Sequence, residues 1–372
     1  MTKVLFVHDH IFLVDGNLVY TSGSLSSSVW NNYMFDDDDV LTVIGRCRIL
    51  NDNEVFTHKS LASKENVNFK FIKSISNIRS MFLKTKSHKE IEENVLNSDI
   101  VFARLPSESG IYAAKIALKY NRLLICEVVA CPYESLKYQG SLLAKIYAPI
   151  MKLRTREIIA KANNVIYVTN EFLQKRYPNN KNNIGISDVK INRINYCYDA
   201  RRERYLNKVR DDKFITIGLI GNMSNDIKGV DVILNALSSI NGNYKLQIVG
   251  SGSIDKYKKL AKELNVEVTF LGFISDRKEL FSWLDSIDIY VQPSRTEGLS
   301  RSVIEAMSRG CPVLSSNSGG LRELIHDSFT HNYGDFKELQ RQLILLRNIN
   351  IYSELLRYSE KISKNYLFDI VS

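Results

Sequence analysis

Two doubly wound α/β domains in series are what this sequence predicts, on three observations. Short runs rich in β-branched residues, apolar on both faces, alternate with helix-like stretches along most of the chain. That is the pattern of parallel strands covered by helices. The alternation weakens once, over residues 196–213, where polar and charged residues crowd together. Finally, 372 residues are long for one domain and comfortable for two.

The elements follow in order. The start, Met1-Thr-Lys-Val-Leu-Phe-Val, lacks the basic-then-apolar build of a signal peptide and reads as a first buried strand, Val4–Val7. Further strands are expected at Leu41–Ile44, Asp99–Ala103, Leu123–Val128, Val165–Val168 and Lys190–Ile194. Helices are expected at Glu108–Tyr120 and Leu136–Ala162. The second holds Pro149, which lacks an N–H and is expected to kink it. A second series then runs Phe214–Ile220, Lys245–Val249, Glu267–Leu271, Asp288–Gln292 and Pro312–Ser315, each followed by a helix. The expected organisation is a domain over 1–199, a linker over 200–213, a domain over 214–355 and a tail over 356–372. In such sheets ligands bind at the C-terminal ends of strands, so the loops after strands are where chemistry is sought.

The loop after Asp288–Gln292 is the most informative of these. Glu297 and Glu305 flank it with seven residues between them. The run from Arg301 to Arg309 reads as a helix stopped by Gly310 and Pro312. Glu297 then lies just ahead of a helix N-terminus and Glu305 about two turns further on. Unpaired N–H groups and the positive dipole end make such a terminus a site for phosphate. Two carboxylates flanking a phosphate site are placed to accept from hydroxyls, which describes a nucleotide sugar. The plainer alternative is two surface glutamates near a helix start, where acids are favoured anyway. Lys228, in the loop after the first strand of the second series, can neutralise a departing pyrophosphate, or is one exposed lysine among many. Ser22-Gly23-Ser24 follows the first strand and precedes a helix; it faces phosphate or sugar, or is an ordinary N-cap.

The Glu297–Glu305 segment resembles the glutamate-x7-glutamate signature of the retaining glycosyltransferases of family 4, which have the GT-B fold. Ile217-Gly-Leu-Ile-Gly221, Lys228-Gly229-Val-Asp231, Ile248-Val-Gly-Ser-Gly252, Phe270-Leu-Gly-Phe273 and Gly319-Gly-Leu-Arg-Glu323 fall in the family's order and spacing, over roughly residues 213–330. The resemblance implies a GT-B protein with two Rossmann-like domains facing across a cleft. Its C-terminal domain would bind a nucleoside diphosphate sugar and its N-terminal domain an acceptor, with retention of anomeric configuration, no cofactor and no required metal. Glu305 would hold the ribose hydroxyls and Glu297 would contact the donor sugar. The N–H groups of Gly298, Leu299 and Ser300 would face the diphosphate, with Gly221 and Lys228 beside it. Gly272 and Phe273 would shape the base pocket. Where the family commonly has an arginine after Gly221, this chain has Asn222-Met223. Asn222 supplies hydrogen bonds instead, Arg301 substitutes, or activity is weaker. In the family a C-terminal helix crosses back to the first domain; here the chain ends soon after Tyr366, which leaves that crossing short.

On the acceptor side, Arg104-Leu-Pro106 and Glu127 follow strand ends, as in members that build bacterial surface polysaccharides. The acceptor implied is a lipid-linked saccharide, met at the inner face of the cytoplasmic membrane. The formal net charge of +9 suits an anionic surface. Its excess concentrates at Lys64–Lys89, with seven basic residues against Glu65, and at Lys145–Lys161. The same stretches are also explained as solvated basic faces. Two other readings of the fold are a nucleotide-sugar epimerase and a non-catalytic nucleotide-sugar-binding relative working with a partner subunit.

Other signals take the plainer reading. Basic residues are not interleaved with a nucleic-acid motif, so no nucleic acid is expected. Gly250-Ser-Gly252 lacks the third glycine of a dinucleotide fingerprint. Asp36–Asp39 reads as a solvated acidic turn, and His8-Asp9-His10 has no third cluster of ligands, so no metal is expected. The five cysteines are odd in number and lack C-x-x-C spacing, which fits reduced cytosolic thiols. No segment is apolar for long enough to span a bilayer.

Overall fold

The computed structural model describes residues 1–22, 25–50, 59–76, 80, 83–192, 194 and 197–367. The expectation placed on Gly23 and Ser24 lies outside them, as does part of the Lys64–Lys89 stretch. The chain divides into two compact α/β units. The first comprises Met1–Pro132 and Pro149–Ile186, the second Tyr133–Ala148 and the residues from Ser187 onward. Both sheets have the doubly wound build of the GT-B fold.

The first stretch of chain supplies β1 (Lys3–Asp15), β2 (Leu18–Thr21), β3 (Val40–Ile49), β4 (Ser60–Leu61), β5 (Val67–Phe71), α1 (Lys86–Leu96), β6 (Ile100–Leu105), α2 (Glu108–Lys119) and β7 (Leu123–Val128). It continues with α3 (Pro132–Lys137), α4 (Leu142–Lys161), β8 (Asn164–Tyr167), α5 (Phe172–Arg176) and β9 (Asn182–Gly185). The parallel strands lie in the order β5-β3-β1-β6-β7-β8-β9, with a short antiparallel arm, β2 and β4, on the far end of β1. Chain order reverses at β1 and β6, so ligand chemistry belongs beyond their C-terminal ends. An aromatic cluster of Phe6, Phe12, Trp30, Tyr33 and Phe69, edge to face in most of its pairs, packs against β1.

Two sequence expectations change here. β1 is much longer than Val4–Val7, because after pairing with β6 it runs on against β3 and β2. The last strand of this sheet is β9, whose Asn182-Asn-Ile-Gly185 carries no apolar signal because an edge strand need not be covered. The run Lys190–Ile194, expected as that strand, instead contributes one bridge, Ile191 to Leu367, within the second unit.

The register of β1 on β3 breaks between Val7 and Ile11, and the bulge takes His8, Asp9 and His10. Asp9 accepts from the N–H of Glu108 at 2.7 Å and the hydroxyl of Ser109 at 2.5 Å, which ties the bulge to the start of α2. Burial, and then Arg104, push the His8 imidazole down from 6.5 to about 3. The unfolded chain takes up a proton near 6.5 that the folded imidazole refuses. Stability is therefore full above that pH and is lost as pH falls towards about 3, by up to about 1.4 kcal/mol per pH unit. Urea midpoints of the wild type should drop more steeply below pH ~6.5 than those of His8→Gln. Parallel profiles would remove His8 as a source of acid sensitivity.

The second series is α6 (Tyr198–Arg210), β10 (Ile215–Ile220), α7 (Val230–Ser238), β11 (Tyr244–Val249), α8 (Asp255–Glu263), β12 (Val268–Gly272), α9 (Arg277–Ser286) and β13 (Ile289–Gln292). It ends with α10 (Arg301–Ser308), β14 (Val313–Ser316), α11 (Leu321–Leu324), β15 (Thr330–His331), α12 (Phe336–Leu345) and α13 (Ile349–Lys364). The sheet order is β12-β11-β10-β13-β14-β15, all parallel, with its reversal at β10 and β13.

The linker expected at 200–213 is a correction. Those charges belong to α6, which is fastened into the second unit. Arg201 is 4% exposed and donates to the carbonyls of Ile287, Leu284 and Arg309, the ends of α9 and α10. Tyr205 stacks on Tyr352 of α13 at 3.7 Å between ring centroids. Lys208 meets the buried Asp288 at 2.6 Å. Long basic side chains that cap helix C-termini look, in sequence, the same as solvated ones. The tail expected over 356–372 likewise stays with the second unit as far as Leu367. The Tyr352 hydroxyl donates to the Asp288 carbonyl, and Ile191 N–H donates to the Tyr366 carbonyl.

Candidate functional site

The reversal in the second sheet puts the loops after β10 and β13 side by side, and they carry the residues singled out in sequence. After β10, Gly221 turns the chain, and a short 3-10 turn, Asp226–Lys228, presents Lys228. A Cβ on Gly221 would stand 2.5 Å from Cγ of Lys228, so the lysine stem lies across the glycine. After β13, the loop 293–300 brings Glu297 to the same place. Lys228 Nζ lies 2.6 Å from Glu297 Oε1, with side-chain exposures of 23% and 12%.

A polar chain fixes this carboxylate from behind. Ser294 Oγ donates to Glu297 Oε1 at 2.7 Å, and Gln292 Nε2 lies 3.4 Å from the same oxygen. Gln292 Oε1 in turn accepts from the Tyr290 hydroxyl at 2.7 Å and from Ser302 Oγ at 3.2 Å. Tyr290, Gln292 and Ser294 are all fully buried. The network therefore holds one rotamer of Glu297 rather than a choice of several. Arg295 anchors the other side of the loop with a two-pronged pair to Asp231, at 3.1 and 2.7 Å.

Glu305 lies in α10 and is buried at 7% exposure. Burial raises its carboxyl above the usual range, while Arg277 and Arg301 act against that rise. Arg277 Nη2 is 3.4 Å from Glu305 Oε1, and its guanidinium sits over the Phe281 ring. The N–H groups of Gly298, Leu299 and Ser300, just ahead of α10, donate to no acceptor among the described residues. Gly319 lets the next loop close on this one: a Cβ there would meet the Glu297 carbonyl at 1.9 Å, at φ +59°. Gly319→Ala should therefore lower the thermal midpoint by more than Gly334→Ala, whose φ of +83° is strained but whose surroundings are open. Equal losses in a melting comparison would mean that the Glu297 loop yields freely.

Other expected donor-side residues are placed less centrally. Asn222 Oδ1 accepts from the N–H of Ser224 at 2.8 Å and its amide reaches Ser251, so it braces its own loop. Arg301 donates to the Asp188 carbonyl at 3.2 Å. Gly272, with φ +74°, closes β12, and the following Phe273 is 48% exposed. In the first unit, Arg104 and Glu127 are register partners on β6 and β7 and form an ion pair of 2.9 Å. The Tyr33 hydroxyl donates to the same Glu127 oxygen at 3.0 Å. His8, in the β1 bulge, lies within electrostatic reach of Arg104, and Arg46 of β3 donates to the Asp9 carbonyl at 2.9 Å.

Sequence reasoning missed Arg277, Gln292 and Tyr290. Gln292 and Tyr290 were read as strand, and their polar ends were the available signal. Arg277 had none, since its contact with Glu305 joins the start of α9 to α10, 28 positions away. The acidic turn does hold Asp36, Asp38 and Asp39 with ligand atoms within 4.8 Å. Asp39, though, is occupied by the N–H groups of Thr2, Phe35 and Asp36, which fits a structural turn. In the basic stretch, Lys70 and Lys84 pair with Glu90 and Glu92 of α1, so part of its charge is neutralised locally.

A model of the family described as glycosyl transferases group 1 matches residues 215–347. The chain is 34% identical over 351 residues to Protein CapJ of Staphylococcus aureus, covering 91% of this chain and 85% of that one. It is 28% identical over 156 residues to the capsular polysaccharide biosynthesis glycosyltransferase CapM of the same species, covering 39% of this chain and 40% of that one. Among solved structures it resembles Anabaena HepE in complex with UDP, with a TM-score of 0.63 and 13% identity over 98% of this chain and 95% of that one. It also resembles the apo form of the lipopolysaccharide outer core galactosyltransferase WaaB, with a TM-score of 0.62 and 18% identity over 99% of this chain and 96% of that one.

Proposed function

Because the chain belongs to the group 1 glycosyl transferases, we propose that it moves a sugar from a nucleoside diphosphate sugar to a lipid-linked saccharide acceptor. Transfer would proceed with retention and without a required metal, as in family 4, at the inner face of the cytoplasmic membrane. The product would belong to a bacterial surface polysaccharide. The roles of CapM in capsular polysaccharide biosynthesis and of WaaB in the lipopolysaccharide outer core support that setting, and HepE with UDP supports the donor class.

The observation that carries the reading is the Lys228–Glu297 pair at the sheet reversal, beside the N–H groups of Gly298, Leu299 and Ser300, which meet no acceptor among the described residues. Diphosphate there meets one full positive charge and a helix N-terminus. The anomeric C–O bond to phosphate breaks, and a bond to the acceptor hydroxyl forms on the same face. The departing phosphate oxygen takes the hydroxyl proton. Lys228 stabilises the negative charge that grows on that oxygen. Glu297, freed from part of its pairing, faces the positive charge developing at the anomeric carbon. Glu305 holds the ribose. The leaving-group charge is met by protein groups, which is the support for a metal-independent reaction. Arg104 and Glu127 would face the acceptor.

The test is calorimetric binding of UDP, GDP, ADP and CDP to the wild type and Glu305→Ala. One diphosphate should bind selectively and be lost in the variant, and the matching donor should give product of unchanged anomeric configuration. No binding by folded protein would overturn the donor site. Conversion of the donor without an acceptor would favour the epimerase.

A further inference from the structure

At the reversal of its sheet, the first unit gathers two arginines, Arg46 and Arg104, with His8, His10, Asp9 and Glu127. Most of these charges have a partner within the unit. Arg104 has its counter-ion in Glu127, and the Tyr33 hydroxyl completes that pair. The Asp9 carboxylate is taken by the N–H of Glu108 and the hydroxyl of Ser109, at the start of α2. Arg46 is different. Its Nε donates to the Asp9 carbonyl at 2.9 Å, and its two Nη groups meet no acceptor among the described residues. The side chain is half-buried, so a guanidinium is drawn partly out of water with no carboxylate paired to it.

The fold holds Arg46 in this place. It is the register partner of Ile11, immediately past the bulge in β1. Gly45 before it lets β3 lie close to the bulge: a Cβ there would stand 2.7 Å from the Phe12 ring and 3.2 Å from the His10 carbonyl. The His8 and His10 rings lie 6.4 Å apart between centroids and nearly parallel, and His10 Nε2 is 2.8 Å from the Thr21 hydroxyl. Both arginines act on both imidazoles. Burial, then Arg104 and Arg46, hold His10 below its ordinary value, as burial and then Arg104 do for His8. The imidazoles are therefore uncharged at neutral pH. Two guanidinium charges then face one free-standing acid, Glu127, and the excess lies on Arg46.

We infer that the acceptor saccharide carries an acidic group, the carboxylate of a uronic acid or a phosphate ester on the sugar, and that Arg46 selects it through its open guanidinium fork. This rests on the reading that Arg104 and Glu127 face the acceptor, and it names the chemical class of that acceptor. The planar fork matches two oxygens of a carboxylate or a phosphate at once, whereas a neutral sugar offers it single hydroxyl oxygens. The place is the one where ligands meet a doubly wound sheet, beyond the strand ends at the reversal. An acidic acceptor supplies the charge that Arg46 lacks. A neutral one leaves the guanidinium drawn from water without a partner, so the discrimination works against the wrong substrate as well as for the right one.

The experiment is binding of the labelled full chain to an array of neutral, uronic-acid-bearing and phosphorylated saccharides. The wild type should be retained by one acidic set at least about tenfold more than by the neutral set. Arg46→Gln should lose that preference, and Arg46→Lys should keep part of it, because the charge remains and the fork is lost. Lys258→Gln removes the same charge from α8 in the second unit and should bind as the wild type does. All three variants should keep the wild-type circular dichroism and nucleoside diphosphate binding. Retention by the uronic-acid set identifies a carboxylate, and retention by the phosphorylated set a phosphate. Equal retention of neutral and acidic saccharides, or of none, would overturn the inference. So would an Arg46→Gln variant that keeps the preference, or a Lys258→Gln variant that loses it, since net charge would then be the cause. Nucleoside diphosphate binding with transfer to a neutral saccharide removes the acidic acceptor and leaves the glycosyltransferase reading standing. A preference that depends on Arg46 in a protein that binds no nucleoside diphosphate does the reverse.

Discussion

Lys228→Ala is expected to lower kcat by about a hundred- to a thousandfold, with a much smaller change in KM for the donor. The asymmetry follows from when the charge is needed. A bound diphosphate already has the N–H groups ahead of α10 to meet it. The extra negative charge on the departing oxygen arises only as the anomeric bond breaks, and Lys228 is the cation placed for it. The substitution also leaves the half-buried Glu297 without its ion-pair partner, which disturbs the group facing the sugar. The two losses share one interaction. Adding Glu297→Ala to Lys228→Ala should therefore cost far less than the product of the two single effects. A steady-state comparison of the three variants with wild type measures this. A kcat within about threefold of wild type for Lys228→Ala would remove the lysine from the chemistry.

Glu305→Ala should weaken binding of the preferred nucleoside diphosphate by at least about a hundredfold, because two hydroxyl bonds to a carboxylate are worth about 1.5–3 kcal/mol each. Glu305→Gln keeps the shape and loses the charge, so it should fall between. The carboxylate also makes binding sensitive to pH. Burial raises the Glu305 pKa, with Arg277 as the first group opposing that rise. The ionised form accepts the hydroxyls, and the neutral form accumulates as pH falls through the raised value. Affinity should thus decline on acidification earlier than an ordinary carboxyl would dictate. Removing the charge of Arg277, as in Arg277→Ala, should move the decline to higher pH. Calorimetry from neutral pH down into the ordinary carboxylate range reads this, and Glu305→Gln serves as the control that retains only the ligand's own titration. Superimposable profiles for wild type and Arg277→Ala would mean that the arginine leaves Glu305 untouched.

The two sheets and their strand-end loops were legible because buried parallel strands leave an apolar signature on both faces. The strands Leu123–Val128 and Asp288–Gln292 were read close to where they lie. Glu297, Glu305 and Lys228 were legible for a related reason, since each is local to a strand–loop–helix unit whose punctuation is written in glycine and proline. The segment over 200–213 was not. Arg201, Tyr205 and Lys208 are polar in sequence and buried or tied in the structure, because carbonyls at the ends of distant helices accept from Arg201 and Tyr205 and the buried Asp288 carboxylate takes Lys208. Composition cannot tell a charge facing water from one facing a helix C-terminus.

The sequence by itself determined the class of fold, the order of its βα units and the two strand-end loops that carry Lys228 and Glu297. Periodicity and turn chemistry are properties of neighbouring residues. The tertiary structure decided which partners those residues take. It joined Lys228 to Glu297 across 69 positions and Arg277 to Glu305 across 28. It returned the chain after Lys190 and the helix Ile349–Lys364 to the second unit. Such pairings depend on which surfaces the folded sheets bring together or leave uncovered, and a residue's partners, unlike its period, are not written beside it.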